Sequence, residues 1–322
     1  MKKTVSIVGG GTAAIAIAAF LDNQKFEVTI FEKNKAIGRK FLVAGKGGFN
    51  LTHSEQIELL IERYTPKALI KEVLLKLNNN DLRNWLHLIG IPTYVGSSKR
   101  VYPIKGIKPI EVLKAIQTVL IEKGVKIDYN KTWTGWDKSN NLVFEDKELV
   151  ESDYVIFALG GGSWKVTGSD GNWLSTFKKK GVGVNPFQAS NCAYAIDWKN
   201  DFILKHAGAP LKNISISCLN KKQKGEVVVT QFGLEGNAIY ALSRDIQQAL
   251  ENGEHIDIEI DLKPMLTATE LMVKYQNSTL SKVTGILKED LNLDRTAIGL
   301  LKQFTDKEAF TNPDLLIATI KA

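Results

Sequence analysis

Cysteine is scarce in this chain: Cys192 and Cys218 are the only two among 322 residues, far apart and without a C-x-x-C pair. Two isolated thiols argue against a disulfide scaffold, a dithiol redox centre and a structural zinc site, and they suggest a reducing compartment. Histidine is also sparse. His53, His87, His206 and His255 form no H-x-x-x-H pattern, so metal catalysis has no support in the sequence. Long apolar runs are missing as well. MKK followed by an apolar stretch to Leu21 imitates a secretory leader, but Gly9, Gly10 and Gly11 interrupt it, no A-x-A site follows, and an alternating strand pattern runs through Glu27 to Glu32. Nothing else is apolar for long enough to span a membrane. A cytoplasmic protein without membrane association is the expectation, and no repeat or low-complexity linker divides it.

The composition that remains, 44% hydrophobic and 24% charged, is that of a globular chain long enough for two or three packed units. The formal charge of +7 is spread out, with KKK at 178–180 and KKQK at 221–224 as the only short runs, each beside a glycine. Such runs read as solvated turns rather than as a nucleic-acid patch. A mild preference for anionic ligands is all they imply.

Residues 4–33 carry the first motif. TVSIVGGG is a run of β-branched residues ending in glycine, as a buried parallel strand should be. The spacing is G-x-G-x-x-A: Gly9 for the turn, Gly11 to leave room for a phosphate, and Ala14 to let the helix over 12–22 lie close to the strand. Gly10 and Ala13 complete the turn, where unpaired N–H groups favour a pyrophosphate. FEVTIFEK is the second strand, and its Glu32 stands where an acid accepts hydrogen bonds from an adenosine ribose and disfavours a 2′-phosphate. This motif alone leaves NAD and FAD open.

The next stretch, GRKFLVAGKGGFNLT at 38–52, is too ordered for a linker and too rich in glycine for a helix or strand. Arg39, Lys40 and Lys46 with bare backbone at Gly45, Gly47 and Gly48 suit an extended diphosphate and a polar ring edge. A ligand lying outstretched across the domain, as FAD does, fits better than NAD.

GRKFLVAGKGGFNLTHS resembles the loop of the HI0933-like family of flavoproteins, whose members include aminoacetone-oxidase-like and BaiN-like FAD enzymes. Further blocks resemble that family in order: TYVGSSKRVYP at 93–103, ALGGGSWKVTGSDGNW at 158–173, ASNCAYAIDW from 189 and VVVTQFGLEGNAIYALS at 227–243. The resemblance implies an α/β fold: a Rossmann-like FAD-binding domain of the two-dinucleotide-binding-domain flavoprotein type over 1–184. A β-rich cap with a barrel-like unit and a helical insertion is expected over 185–322. Within the first domain, GVKIDYNKTWTGW, NLVFEDKELV and DYVIFALGG read as a strand, a hairpin strand and a buried strand that returns the chain to the cofactor at Ala158, Gly160 and Gly161. In the second, short alternating strands at regular spacing suggest a small antiparallel sheet, with helices over 237–251, 266–290 and 294–310.

Motif and resemblance together give the expected cofactor contacts as Gly9, Gly10, Gly11, Ala13, Ala14, Glu32, Lys33, Gly38, Arg39, Lys40, Gly47, Gly48, Asn50, Leu51, Thr52, Trp133, Ala158, Gly160 and Gly161. His53, Arg100 and Tyr102 are substrate candidates, weighed against loop capping and turn packing. The TQFGLEGN turn is a further candidate for aiming a helix N-terminus into the cavity. The resemblance implies an FAD-dependent oxidoreductase acting on a small molecule by hydride transfer at flavin N5, with NAD(P)H as a transient electron donor and no nucleic-acid partner. It also implies a returning strand and a glycine-led helix facing the flavin, and no counterpart of these precedes the closing LLIATIKA. A flavin-binding protein without turnover, an NAD-dependent dehydrogenase and an RNA-modifying flavoprotein remain as alternatives.

Overall fold

The computed structural model describes residues 1–43 and 49–322, so Gly45, Lys46, Gly47 and Gly48 lie outside the described residues. It divides into two compact units, Met1–Phe187 and Gln188–Ala322.

The first unit opens with β1 (Lys3–Val8), α1 (Thr12–Phe20) and β2 (Phe26–Glu32), which form a βαβ crossover. There follow α2 (Arg39–Val43), β3 (Thr52–His53), α3 (Ile57–Ile61), α4 (Lys67–Lys76), α5 (Asn79–Leu88), β4 (Thr93–Val95), β5 (Arg100–Pro103), α6 (Pro109–Glu122) and β6 (Lys126–Tyr129). The unit ends with β7 (Trp133–Trp136), β8 (Leu142–Phe144), β9 (Leu149–Val150), β10 (Tyr154–Phe157) and α7 (Trp173–Lys179). The main sheet is parallel, in the order β10-β1-β2-β6.

Period-two alternation decides what each face of that sheet meets. Val5 and Ile7 of β1, Val28 and Ile30 of β2 and Ile156 of β10 point to the side packed by α1 and α6. Ala14, Ala18 and Ala19 keep α1 close to the strands, and all three are buried. Val8, Phe31, Val155 and Phe157 point the other way, onto the antiparallel meander β7-β8-β9, whose Leu142 and Phe144 are fully covered. The sheet thus has helices on one face and a meander on the other. Helix α6 is started by Pro109 and by Glu111, whose carboxylate accepts the Lys108 N–H at 2.7 Å.

The second unit contains β11 (Tyr194–Ala195), α8 (Asn200–His206), β12 (Pro210–Cys218), β13 (Lys221–Thr230), β14 (Gly233–Glu235), α9 (Asn237–Tyr240), α10 (Ser243–Glu251) and β15 (Ile258–Asp261). Helices α11 (Ala268–Gln276), α12 (Val283–Glu289), α13 (Arg295–Phe304), α14 (Lys307–Thr311) and α15 (Pro313–Lys321) complete it. Its five strands form an antiparallel sheet in the order β11-β14-β13-β12-β15. The sheet runs from edge to edge rather than closing into a barrel.

Each of the three long helical stretches read from the sequence is divided in two. The 237–251 stretch breaks after Tyr240. In 266–290 the break falls between Gln276 and Val283, where the Ser278 hydroxyl hydrogen-bonds the Asp290 carboxylate at 2.6 Å. In 294–310 it falls at Asp306, which caps α14 by accepting the Ala309 N–H at 2.7 Å. Apolar periodicity continues across such breaks, because both halves bury the same side against one core.

Candidate functional site

The carboxyl ends of β1, β2 and β10 form a cleft of about 240 Å³ in the first unit. Its floor is the glycine turn. Gly9 has φ +103°, donates its N–H to the Phe31 carbonyl at 2.8 Å, and approaches β10 so closely that a Cβ would stand 2.5 Å from the Ala158 oxygen. A Cβ on Gly10 would meet Ile37 at 2.6 Å and the Glu32 carboxylate at 2.8 Å. At Gly11 a Cβ would meet nothing within 4 Å among the described residues. The first two glycines are thus required by the protein's own packing, and the third meets none of the described residues.

That space lies at the start of α1. No side chain caps this helix and no acidic residue stands in its first turn. Its first N–H groups lack intrahelical partners and carry the positive end of the helix dipole. An anionic group such as a pyrophosphate fits there with none of the described side chains in the way.

Glu32 closes β2, is 7% exposed, and lines the cleft. One carboxylate oxygen accepts the Gly10 N–H at 2.6 Å, and the other accepts the Asn34 N–H at 2.8 Å as well as the Asn34 side-chain amide. A carboxylate offers about four acceptor positions, and three are used here. One remains for a hydroxyl in the cleft. Trp133, which also lines the cleft, buries its Nε1 without a hydrogen-bond partner among the described residues. An anion position, a hydroxyl acceptor and a spare indole donor in one cleft fit the phosphate, ribose and base of a bound dinucleotide.

The cationic side chains do something the sequence did not announce. Lys33 pairs with Asp170 at 2.8 Å, Arg39 donates to Asn34 Oδ1 at 2.6 Å and to the Val166 carbonyl at 3.1 Å, and Lys40 donates to the Ser163 hydroxyl. All three anchor the loop 163–170, which is folded on itself by paired Trp164 and Ser169 backbones and presses Gly168 against Asn34. Thr167, Gly168, Ser169 and Asp170 of this loop line the cleft. The SWKVTGSD segment is therefore a wall of the site, whereas in the sequence it stood out only as part of the block at 158–173 that resembles the family.

Among the other expected contacts, Gly38, Ala158 and Gly160 line the cleft, and Gly38 also packs tightly on Leu113. Ala13, Ala14 and Gly161 do not line it: Ala14 is fully buried on the strand-facing side of α1, and Gly161 faces Phe187. The neighbouring Gly162 and Gly171 have a packing reason of their own, since a Cβ at either would come 3.0 Å from the Phe187 ring. Gly47 and Gly48 lie outside the described residues.

Asn50, Leu51 and Thr52 are also absent from the cleft lining. Leu51 donates to the Val101 carbonyl at 2.8 Å and leads into a small antiparallel sheet, β3-β5-β4. There His53 stands opposite Arg100, and Tyr102 follows two residues on, so the three substrate candidates share one face of that sheet. His53 accepts the Glu55 N–H at its Nδ1, and Tyr102 stacks on Tyr94 with ring centroids 5.7 Å apart. In the second unit the TQFGLEGN turn joins β13 to β14 and leads to α9, a helix of four residues. Among the described residues no group of three or more His, Cys, Asp or Glu could hold a metal, and no helix is long and apolar enough to cross a membrane.

Residues 3–289 match the family model described as the HI0933-like protein Rossmann domain. A 3-dehydro-bile acid delta(4,6)-reductase of Clostridium scindens is 24% identical over 290 residues, which is 86% of this chain and 68% of the reductase. A ribosomal RNA dihydrouridine synthase of Haemophilus influenzae is 23% identical over 264 residues, 80% of this chain and 64% of that protein. The chain thus spans about two thirds of the length of these relatives. Among solved structures, THI4 of Thermovibrio ammonificans aligns with a TM-score of 0.37 and 17% identity, over 56% of this chain and 64% of its own. The family match runs through the glycine turn and the cleft and on into the second unit, and the chain belongs to the HI0933-like Rossmann-domain family.

Proposed function

We propose that the chain is an FAD-dependent oxidoreductase that moves a hydride between flavin N5 and a small organic substrate, with NAD(P)H as transient electron partner. The observation that carries this reading is the open space over Gly11, which faces the uncapped N-terminus of α1 beside Glu32. At about 240 Å³ the cleft is smaller than the roughly 300–1,000 Å³ usual for drug-sized ligands, so it suits one end of an extended dinucleotide. A bound flavin would supply the hydride acceptor or donor.

The protein's part is binding and placement. The α1 N–H groups hold the diphosphate, Glu32 accepts from the ribose, and the loop 163–170 shields that end from water. His53, Arg100 and Tyr102, on one sheet face, are the substrate-facing candidates. The two relatives act, by name, on a 3-dehydro-bile acid and on ribosomal RNA. Both names support reductase-type chemistry within the family, and they differ too much in substrate for either to be carried over.

The test is the visible spectrum of the purified chain, with the released cofactor identified after denaturation. A flavin spectrum with FAD recovered near one per chain, bleached anaerobically by NADH or NADPH, is the expected result. A colourless protein that takes up no added FAD but binds NAD would sink the proposal in favour of a nicotinamide dehydrogenase.

A further inference from the structure

The second unit has an open cleft of its own, of about 900 Å³, lined by residues of α8, α12 and α13. Its floor is apolar, with Phe202, Leu293 and Ile298, and its walls carry more cations than carboxylates. Lys199 is occupied by the Gln303 carbonyl at 2.8 Å, Lys288 by Glu289 at 2.8 Å, and Lys302 lies over the Phe310 ring. The side chains of Lys205, Lys282 and Arg295, which line the cleft, make no hydrogen bond or ion pair among the described residues. Of the carboxylates, Asp294 is committed to capping α13 through the Ala297 N–H at 2.8 Å.

His206, the last residue of α8, gives the cleft its second feature. It is 6% exposed, lines the cleft, stacks on Phe202 at 4.8 Å, and has no side-chain hydrogen bond among the described residues. Its Nε2 lies directly over Gly299, where a Cβ would stand 2.5 Å away. The buried side-chain nitrogens and oxygens left without a partner among the described residues belong to Trp133, Trp198 and Ser215, so the His206 ring nitrogens stay within reach of the cleft, where a ligand can replace water as their partner. Burial, with Arg295 and Lys205 alongside, pushes the imidazole pKa down and keeps the ring neutral, with one N–H to donate.

We propose that this cleft binds a small phosphate ester, with the phosphate held by Lys205, Lys282, Arg295 and the His206 ring and its organic part on the Phe202 and Ile298 floor. Three uncommitted cations more than neutralise a dianion's charge, and the ring N–H supplies a directed bond. The volume falls within the roughly 300–1,000 Å³ of small-molecule pockets. The proposal does not rest on the flavin reading, because every residue it uses lies in Gln188–Ala322.

The test uses the full chain with nitrogen-15 histidine, the His206 signals being assigned with His206→Asn. Phenyl phosphate is titrated as probe, then inorganic phosphate. Expected is a saturable shift of the His206 signals with phenyl phosphate, weaker with inorganic phosphate. In the Lys205→Ala/Arg295→Ala variant the affinity should fall about tenfold or more, with an unchanged circular dichroism spectrum. Gly299→Ala, which displaces the ring, should also weaken binding. The proposal is overturned if the His206 signals stay still, if the double variant binds equally well, or if an RNA oligonucleotide moves them and phenyl phosphate does not.

Discussion

The carboxylate of Glu32 accepts the N–H of Gly10 at 2.6 Å, so the acid that ends the second strand holds the glycine turn that ends the first. This bond exists without any ligand. Glu32→Gln replaces an acceptor with an amide that must turn its NH2 toward either Gly10 or Asn34, both of which are donors. The expected result is a loss of about 1–3 kcal/mol of stability in the cofactor-free protein, read from urea unfolding, together with weaker FAD retention. Unchanged unfolding would mean that Glu32 matters to the ligand alone.

Neighbouring glycines should respond in opposite ways. Gly10→Ala drives a methyl into Ile37 and Glu32 and should cost about 1–3 kcal/mol of stability, since the buried turn cannot give way freely. Gly11→Ala meets open space at an ordinary φ of −78° and should fold with an unchanged melting temperature. It should nevertheless lose FAD affinity, because its methyl stands where the phosphate is proposed to lie. Equal FAD binding by Gly11→Ala and the parent, measured by fluorescence quenching, would remove the phosphate from that position.

Asp153 ties β10 to β1, accepting from Lys3 at 2.7 Å and from the Thr4 N–H at 2.8 Å. The Lys3 hydrogen bond, then the Thr4 N–H, hold its carboxyl down at about 2. A folded pKa below the unfolded one contributes stability that is present above the unfolded value, near pH 4, and is lost as pH falls toward about 2. Asp153→Asn should flatten that part of the stability profile. An acid limb of the same slope in the variant would assign the effect to other carboxylates.

Ser215 of β12 is fully buried, and its hydroxyl has no partner among the described residues. Ser215→Ala removes a stranded polar group with little loss of volume, so it should raise stability by about 1 kcal/mol. A lower denaturation midpoint in the variant would show that the hydroxyl is satisfied in solution.

The βαβ start was legible because each of its signals is local: a β-branched run, a glycine turn, a helix of small residues and an acid at the end of the next strand. The hairpin strands after Thr132 were legible for the same reason. The role of Arg39 and Lys40 was not. Both were read as ligand cations, yet their bonds to Ser163 and Val166 depend on a loop more than a hundred residues later. The second cleft was invisible for a related reason. Lys205, Lys282 and Arg295 are single charges in three separate segments, and nothing in the sequence says that α8, α12 and α13 pack together. His206 opposite Gly299 is a tertiary pair without a motif. Gly162 and Gly171 carried no reading in the sequence, and the Phe187 ring accounts for both.

That ring also bears on how the protein can be cut. Phe187 ends the first unit, rests on Gly162 and Gly171, and meets Trp173 edge-on at 5.7 Å. The composition change near residue 185 invites a truncation after 184, which would strip the wedge from the loop region that walls the cleft. A recombinant first unit is better terminated after Phe187, so that the fragment carries its own lock.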